Sequence, residues 1–340
     1  MRALLIGGTR NLGPAIVQAL LEAGYKVTVL NRGVTADDLP QSVERLRADR
    51  TDAAQFRGAL GDRDFDLVVD TTLYTGPEAE AVVKILSGRV GRFIFLSTGQ
   101  VYLVRTGLQR PFKESDYPGE VMAEPSRANA SDHANWLYGH DKRQAEDVFA
   151  HAWQLKKFPY TSLRLPMVNS ERDHYFRIYG YLLRLHDGGP ILVPNDQSLP
   201  VRHVYGEDVV QAIMRVANNP KAAGQAYNIG QDETLTLDEV LAILASFAEM
   251  PLLIERVPRA RLNAAGLLPE CSPFSGEWMS SLDNSRSKAE LGMQYTPFQQ
   301  YLKRLVEYYR GILPNPVEGY LQRERELAFF RDLKNSQATA

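Results

Sequence analysis

Short apolar runs alternate with amphipathic ones through the first half of the chain. RALLIG is apolar through its middle and predicts a strand. NLGPAIVQALLEAG follows, with Ile16, Val17, Leu20 and Leu21 at helical spacing. Pro14 falls in the first turn, where a missing N–H costs little, and Gly24 ends the helix. YKVTVLNRG, VERLRAD, FDLVVDTTL and GRFIFLST predict strands two to five. Apolar middles of this kind suit strands covered by helices on both faces. The alternation of strand and helix predicts an α/β fold with a doubly wound parallel sheet.

The pattern breaks between Val101 and Asn135, a stretch rich in Pro, Gly and acidic residues. Loops of this length are uncommon without a role, and a partial lid over a substrate is the expectation. A helix is predicted from about Asn135 to Lys157, then strand six in PYTSLRL and a later strand in GQAYNIG. TLTLDEVLAILASFAEM reads as a capped helix, with Thr236 as N-cap and Glu239 three residues on. HYFRIYGYLL has helical spacing and reads as a packed apolar face rather than as Tyr175 or Tyr179 turned to a substrate. The last stretch, EGYLQRERELAFFRDLKNSQATA, predicts a charged amphipathic helix that frays at its end.

With 340 residues the chain can bury a large core, as one big α/β domain or two joined ones. A net charge of -2 lacks the footprint of a general nucleic-acid binder. The one cysteine, Cys271, excludes a disulfide within the chain and reads as structural. A strand that begins at residue 2 leaves no room for a targeting segment, and no apolar run reaches the ~18 residues of a membrane span. The expectation is a soluble, cytoplasmic protein without a metal site, since no histidine has a second ligand at metal spacing.

Strand one runs into Gly7-Gly8-Thr9-Arg10-Asn11-Leu12-Gly13. A glycine turn between strand and helix brings backbone N–H groups and the positive end of the helix to a pyrophosphate, as in the Rossmann arrangement. The carboxylate that would hold an adenosine 2′-hydroxyl belongs ~20 residues on, at the end of strand two. Asn31 and Arg32 stand there instead. Arg32, with Arg10 of the loop, is suited to pair with a 2′-phosphate, so NADP is favoured and NAD stays possible.

In WLYGHDKRQAE, Tyr138 and Lys142 are four apart on a helix and share a face. A lysine cation beside a phenol favours the phenolate and moves it toward acid–base work.

The glycine loop, FLSTGQVY and YGHDK together resemble the extended short-chain dehydrogenase/reductases, the NAD-dependent epimerase/dehydratase family, over about residues 1 to 315. GGTRNLG, LNRG and RADRTD are most similar to its branch of chloroplast stem-loop-binding proteins and their bacterial relatives. The resemblance implies catalytic roles for Thr98, Tyr138 and Lys142, with Ser97 the near alternative to Thr98. It implies cofactor contacts at Gly7, Thr9, Arg10, Asn11, Leu12, Gly13, Asn31, Arg32, Asp49, Arg50, Thr71, Thr72 and Leu73, and a structural role for Asp208.

Departures from the family pattern bear on the chemistry. Sugar-nucleotide dehydratases carry Asp-Glu after the threonine, where this chain has Gly99 and Gln100. Neither can act as an acid or base at neutral pH, which disfavours dehydration. The phosphate-contacting asparagine of UDP-sugar epimerases falls on Met167, with Asn169 two residues late. Gln100, Met167, Asn169 and Arg202 are the candidate substrate contacts.

The resemblance thus implies hydride transfer at a hydroxyl or keto carbon of a small molecule such as a sugar or sugar nucleotide. A dehydrogenase or reductase and an epimerase both fit, and the resemblance implies a homodimer. An RNA-binding or regulatory protein reusing the fold is the alternative. The expected division is a dinucleotide-binding domain over 1–164, to which 201–230 return. A smaller C-terminal α/β substrate-binding region takes 165–200 and 231–315, and a helical tail takes 316–340.

Overall fold

The structure is a computed structural model and describes residues 1–196 and 199–338. Residues 197–198 of the expected substrate-binding region and 339–340 of the expected tail lie outside the described residues. In chain order the strands are Arg2–Ile6 (β1), Lys26–Asn31 (β2), Glu44–Arg47 (β3), Phe65–Asp70 (β4), Val90–Thr98 (β5), Tyr160–Leu165 (β6), Met167–Asn169 (β7), Ile191–Pro194 (β8), His203–Tyr205 (β9), Gln225–Asn228 (β10) and Ile254–Val257 (β11). The α-helices are Gly13–Glu22 (α1), Ala53–Leu60 (α2), Gly76–Leu86 (α3), Gln100–Leu103 (α4), Ala130–Lys156 (α5), Arg177–His186 (α6), Gly206–Ala217 (α7), Leu237–Ala248 (α8), Arg259–Ala264 (α9), Ser285–Leu291 (α10), Phe298–Arg310 (α11) and Arg323–Ala338 (α12).

The chain divides into two compact units. Unit 1 takes Met1–Val168, Val204–Gly230 and Ser280–Tyr295, and unit 2 takes Asn169–His203, Gln231–Met279 and Thr296–Ala340. Ser280–Tyr295 departs from the expected division. Its Leu291, Met293 and Tyr295 are buried in the core of unit 1 with Val209, Ile213 and Val216 of α7. The tail departs too, because α12 is part of unit 2 rather than an appendage.

Unit 1 is built on a seven-stranded sheet in the order β10-β6-β5-β4-β1-β2-β3. Every pairing in it is parallel. Alternate side chains leave each strand on opposite faces. Ala3, Leu5, Val27 and Val29 pack with Ile16, Val17 and Leu20 of α1. Leu4, Ile6 and Leu30 pack on the other face with Phe56 of α2, Val82 of α3 and Phe149 of α5. Both faces are covered, as the apolar strand middles require. Strand order reverses between β1 and β4, so the carboxyl ends Ile6 and Asp70 lie side by side at the switch point, where ligands of open α/β sheets bind.

Helix α5 begins five residues before the expected Asn135. Asn129 caps it by accepting from Asp132 N–H at 3.3 Å, and its first turn is solvated, so apolar periodicity starts only at Trp136. The Val101–Asn135 stretch is not a free flap. Arg105 donates to the carbonyls of Asp116, Pro118 and Glu120, Phe112 N–H to Ser281 O, and Tyr117 Oη to Asp147.

Unit 2 pairs β8 with β11 in parallel. Arg184 of α6 is wholly buried and meets Glu326 of α12 at 2.5 Å. Arg323 joins Glu326 at 2.9 Å and Asp187 at 2.6 Å. This ion-pair chain anchors α12. Tyr179 is also packed, its Oη donating to Ile312 O and Asn315 O, while Tyr175 is exposed.

Candidate active site

The glycine loop follows β1 at the switch point. A Cβ on Gly13 would lie 2.3–2.5 Å from the backbone of Gly8, so helix α1 closes on the loop only with glycine there. Thr71, just past β4, donates from Oγ1 to Ile6 O at 2.9 Å. Helix α1 opens at Leu12 with no side-chain cap and no acid in its first turn. With neither a capping side chain nor an acid in that turn, its positive end suits a pyrophosphate. Thr9 is half-buried, Arg10 is exposed, and Asn11 adopts φ +47. This is a cradle that nicotinamide dinucleotides fit.

The residues expected near the adenosine differ in burial. Arg32 is exposed, whereas Arg50 is turned inward, 2.9 Å from Asp70 and 3.1 Å from Glu78. The fold thus ties the Arg50 guanidinium to two acids. Asp70 also accepts from Thr72 N–H at 2.9 Å. Asp49 accepts from Thr51 N–H and Oγ1, which hold its carboxyl below the ordinary range.

Helix α5 carries Tyr138 and Lys142 one turn apart. Tyr138 is 37% exposed and Lys142 only 3%. Lys142 Nζ donates to Leu73 O at 2.6 Å and to Leu96 O at 2.9 Å. The rings of Tyr74 and Phe95 lie 4.5 and 4.8 Å from it. Burial pushes the Lys142 pKa down to about 8, and the nearby acids Asp70, Glu78 and Glu146 offset part of that effect. Tyr74 also lies 6.1 Å from the Tyr138 ring, centroid to centroid. No spacing marks Tyr74 in the sequence; it follows TTL in a loop fixed by Glu78, which accepts from Tyr74 N–H at 2.6 Å.

The two adjoining hydroxyls of β5 are unlike. Ser97 Oγ donates to Glu146 at 2.5 Å, and Glu146 pairs with Arg164 at 2.6 Å in a buried network. Thr98 Oγ1 accepts from Gln100 N–H at 3.2 Å and makes a long 3.5 Å contact to Leu165 O. Thr98 therefore has the less committed hydroxyl.

Gln100 and Met167 belong to unit 1, where Gln100 Nε2 donates to Asn135 at 2.8 Å. Asn169 and Arg202 belong to unit 2. Asn169 is 1% exposed, and both ends of its carboxamide lack a hydrogen-bond partner among the described residues. In the same unit His203 is buried, bonded through Nδ1 to Tyr301, with its pKa pushed down to about 3. Cys271 is buried and its thiol pushed up to about 12, an inert group. Among the described residues no cluster of three potential ligands could hold a metal, and no helix is long and apolar enough to cross a membrane.

The family model for the NAD dependent epimerase/dehydratase family matches residues 3–84 and 78–230. The chloroplast stem-loop binding protein of 41 kDa b of Arabidopsis thaliana is 27% identical over 267 residues, 74% of this chain and 64% of that protein. The 2'-dehydrokanamycin reductase of Streptomyces kanamyceticus is 23% identical, over 71% of this chain and 64% of its own length. The chain thus spans under two thirds of the length of these two relatives. Among solved structures, UDP-glucose 4-epimerase with UDP-glucose from Thermotoga maritima superposes with a TM-score of 0.72 at 19% identity, over 92% of this chain and 100% of that one. A UDP-glucose 4-epimerase complex with NAD from Thermus thermophilus gives 0.70 at 21% identity, again over 92% and 100%.

Proposed function

The chain belongs to the NAD dependent epimerase/dehydratase family, and from that premise we propose an NAD(P)-dependent oxidoreductase or epimerase acting at a hydroxyl or keto carbon of a small molecule. One observation carries the reading: a desolvated lysine lies one helical turn from a solvent-accessible tyrosine. That pair shares unit 1 with the glycine cradle.

The proposed roles follow from the surroundings. The backbone of Gly7 to Gly13 and the start of α1 hold the pyrophosphate, with Thr71, Thr72 and Leu73 lining the other side of the switch point. A bound nicotinamide supplies or accepts the hydride. Tyr138 gives or takes the proton at the substrate oxygen. Lys142 favours the Tyr138 phenolate and holds ribose hydroxyls. Thr98 Oγ1 hydrogen-bonds the substrate oxygen, because Ser97 is committed to Glu146. Arg50, paired with Asp70 and Glu78, supports the end of β4 beside the cradle.

NADP is the favoured cofactor, with Asn31 and Arg32 in place of an acid. A sugar or sugar nucleotide is the favoured substrate class. The buried, unsatisfied carboxamide of Asn169 supports a polar ligand there, because such a group is costly to leave without a partner. Gln100, Met167 and Arg202 are the other proposed substrate contacts, and a homodimer is the proposed state.

The test is to denature freshly purified protein and identify released nucleotide by mass spectrometry. Stoichiometric NAD or NADP supports a retained cofactor and the epimerase reading. An empty protein that binds NADPH reversibly supports a dehydrogenase or reductase. A protein that binds neither refutes both. The name of the Arabidopsis relative motivates a second reading, an RNA-binding or regulatory protein. The net charge of -2 weighs against it, and absence of RNA binding at low salt would remove it.

A further inference from the structure

The end of β2 presents donors where an acid would stand. The β2–β3 register pairs Asn31 with Arg47. Asn31 Oδ1 accepts from Gly33 N–H at 2.8 Å and from the Arg47 guanidinium. An amide oxygen has two lone pairs, and these two donors use both. Reversing the carboxamide would set its NH2 against two donors, so its orientation is fixed. The nitrogen is then left toward the glycine loop, at a long 3.4 Å from Gly7 O. A ribose 2′-hydroxyl seeking an acceptor finds none on Asn31; an anion seeking donors finds an amide and a guanidinium.

Arg47 packs closely over Gly33. A Cβ there, at φ +75, would lie 3.0 Å from Arg47 Cδ and Nε. Its countercharge is shared with a second arginine. Asp37 stands 3.9 Å away and is held at 2.8 Å by Arg45. The Arg47 side chain remains 45% exposed.

We propose that Arg47, acting with the Asn31 amide, selects a 2′-phosphorylated adenosine, so that NADP(H) is the cofactor; this rests on the reading of the chain as an NAD(P) enzyme. The sequence alone points to Arg10 and Arg32. The register adds Arg47 and gives it the direct link to Asn31. A charge-assisted bond to phosphate is stronger than a neutral one and is lost when the anion is absent.

The test titrates the full chain with NADPH, NADH and 2′,5′-ADP, for wild type, Arg47→Ala and Arg47→Lys, with circular dichroism to check folding. Wild type is expected to bind NADPH about tenfold or more tightly than NADH. Arg47→Ala should lose about that factor for NADPH and 2′,5′-ADP while NADH shifts less than about twofold. Arg47→Lys should fall between, keeping the charge but not the fork. An unchanged NADPH preference in Arg47→Ala overturns the proposal. So does an equal loss for both nucleotides, which would mean Arg47 only shapes the turn. A wild type that binds both nucleotides equally, or prefers NADH, overturns it while the enzyme reading stands. A wild type that binds neither overturns both.

Discussion

Lys142 and Arg47 are two cations at the carboxyl ends of one sheet, in opposite surroundings. Lys142 is closed off by the Tyr74 and Phe95 rings and held by two backbone carbonyls. Burial brings its pKa down to about 8. Arg47 stands half in solvent and binds a neutral amide oxygen. A desolvated ammonium near its pKa responds to every nearby charge, which suits proton chemistry. A guanidinium keeps its charge at any working pH and offers fixed geometry, which suits recognition of an anion. Unit 1 thus has one end suited to tuning and one suited to grip.

The largest test of the tuned end is Tyr138→Phe. The substitution keeps the ring and removes only the hydroxyl. Turnover on a substrate found from a panel of sugars and ketones should fall about 10²- to 10⁴-fold. The melting temperature should barely move, since the residue is partly exposed. Retention of full turnover would break the assignment of Lys142 as a tuning group, because it would have nothing to tune.

Arg50→Ala is expected next in size, and it extends the comparison to a third cation. Arg50 is buried like Lys142 but is paired with Asp70 and Glu78. Removing it takes the paired guanidinium from Asp70, which is wholly buried and keeps only its bonds from Thr72. Unfolding in urea should show a loss of about 3 kcal/mol or more. A loss under about 1 kcal/mol would mean that the pair is not a structural support.

Burial of this kind explains what is legible in the sequence and what is not. Strands β1 to β6 and the cap of α8 are local patterns: Thr236 and Glu239 form the reciprocal bonds their spacing predicts. Tyr138 and Lys142 are legible because helical spacing puts them on one face. The role of Arg50 is not, since Asp70 and Glu78 are distant in sequence and only the sheet brings them to it. Arg47 escapes notice for the same reason, as its tie to Asn31 depends on strand register. Ser280–Tyr295 carries no signal that its apolar residues complete the core of unit 1 rather than unit 2.

A pH series isolates Lys142. Its folded pKa, about 8, lies below the ordinary lysine value of 10.5. As pH rises the folded state releases this proton first, and the unfolded state then holds more protons. The contribution of this group to stability is therefore flat below about pH 8 and rises between about pH 8 and 10.5. Urea unfolding at about pH 7.5, 9 and 10 should show a rise in wild type, relative to Lys142→Met, of up to a few kcal/mol. Parallel curves for the two proteins would mean that the ammonium is not desolvated in solution.

Salt should produce the smallest effect and separates the two cations most directly. The Debye length is about 10 Å at 0.1 M and about 3 Å at 1 M. Arg47 is open to ions, so NADPH affinity should weaken about twofold to fivefold as salt rises from 0.05 to 0.5 M, roughly the range in which exposed charges are screened. NADH has no 2′-phosphate, and its affinity should weaken less. The Lys142 contribution to the pH series should keep its midpoint over the same range, because ions do not reach a buried ammonium. Equal salt slopes for the two nucleotides would place the screened contact at the shared pyrophosphate and remove Arg47 from the grip. A midpoint that moves with salt would show that water and ions reach Lys142, and the contrast between the two ends of unit 1 would fail.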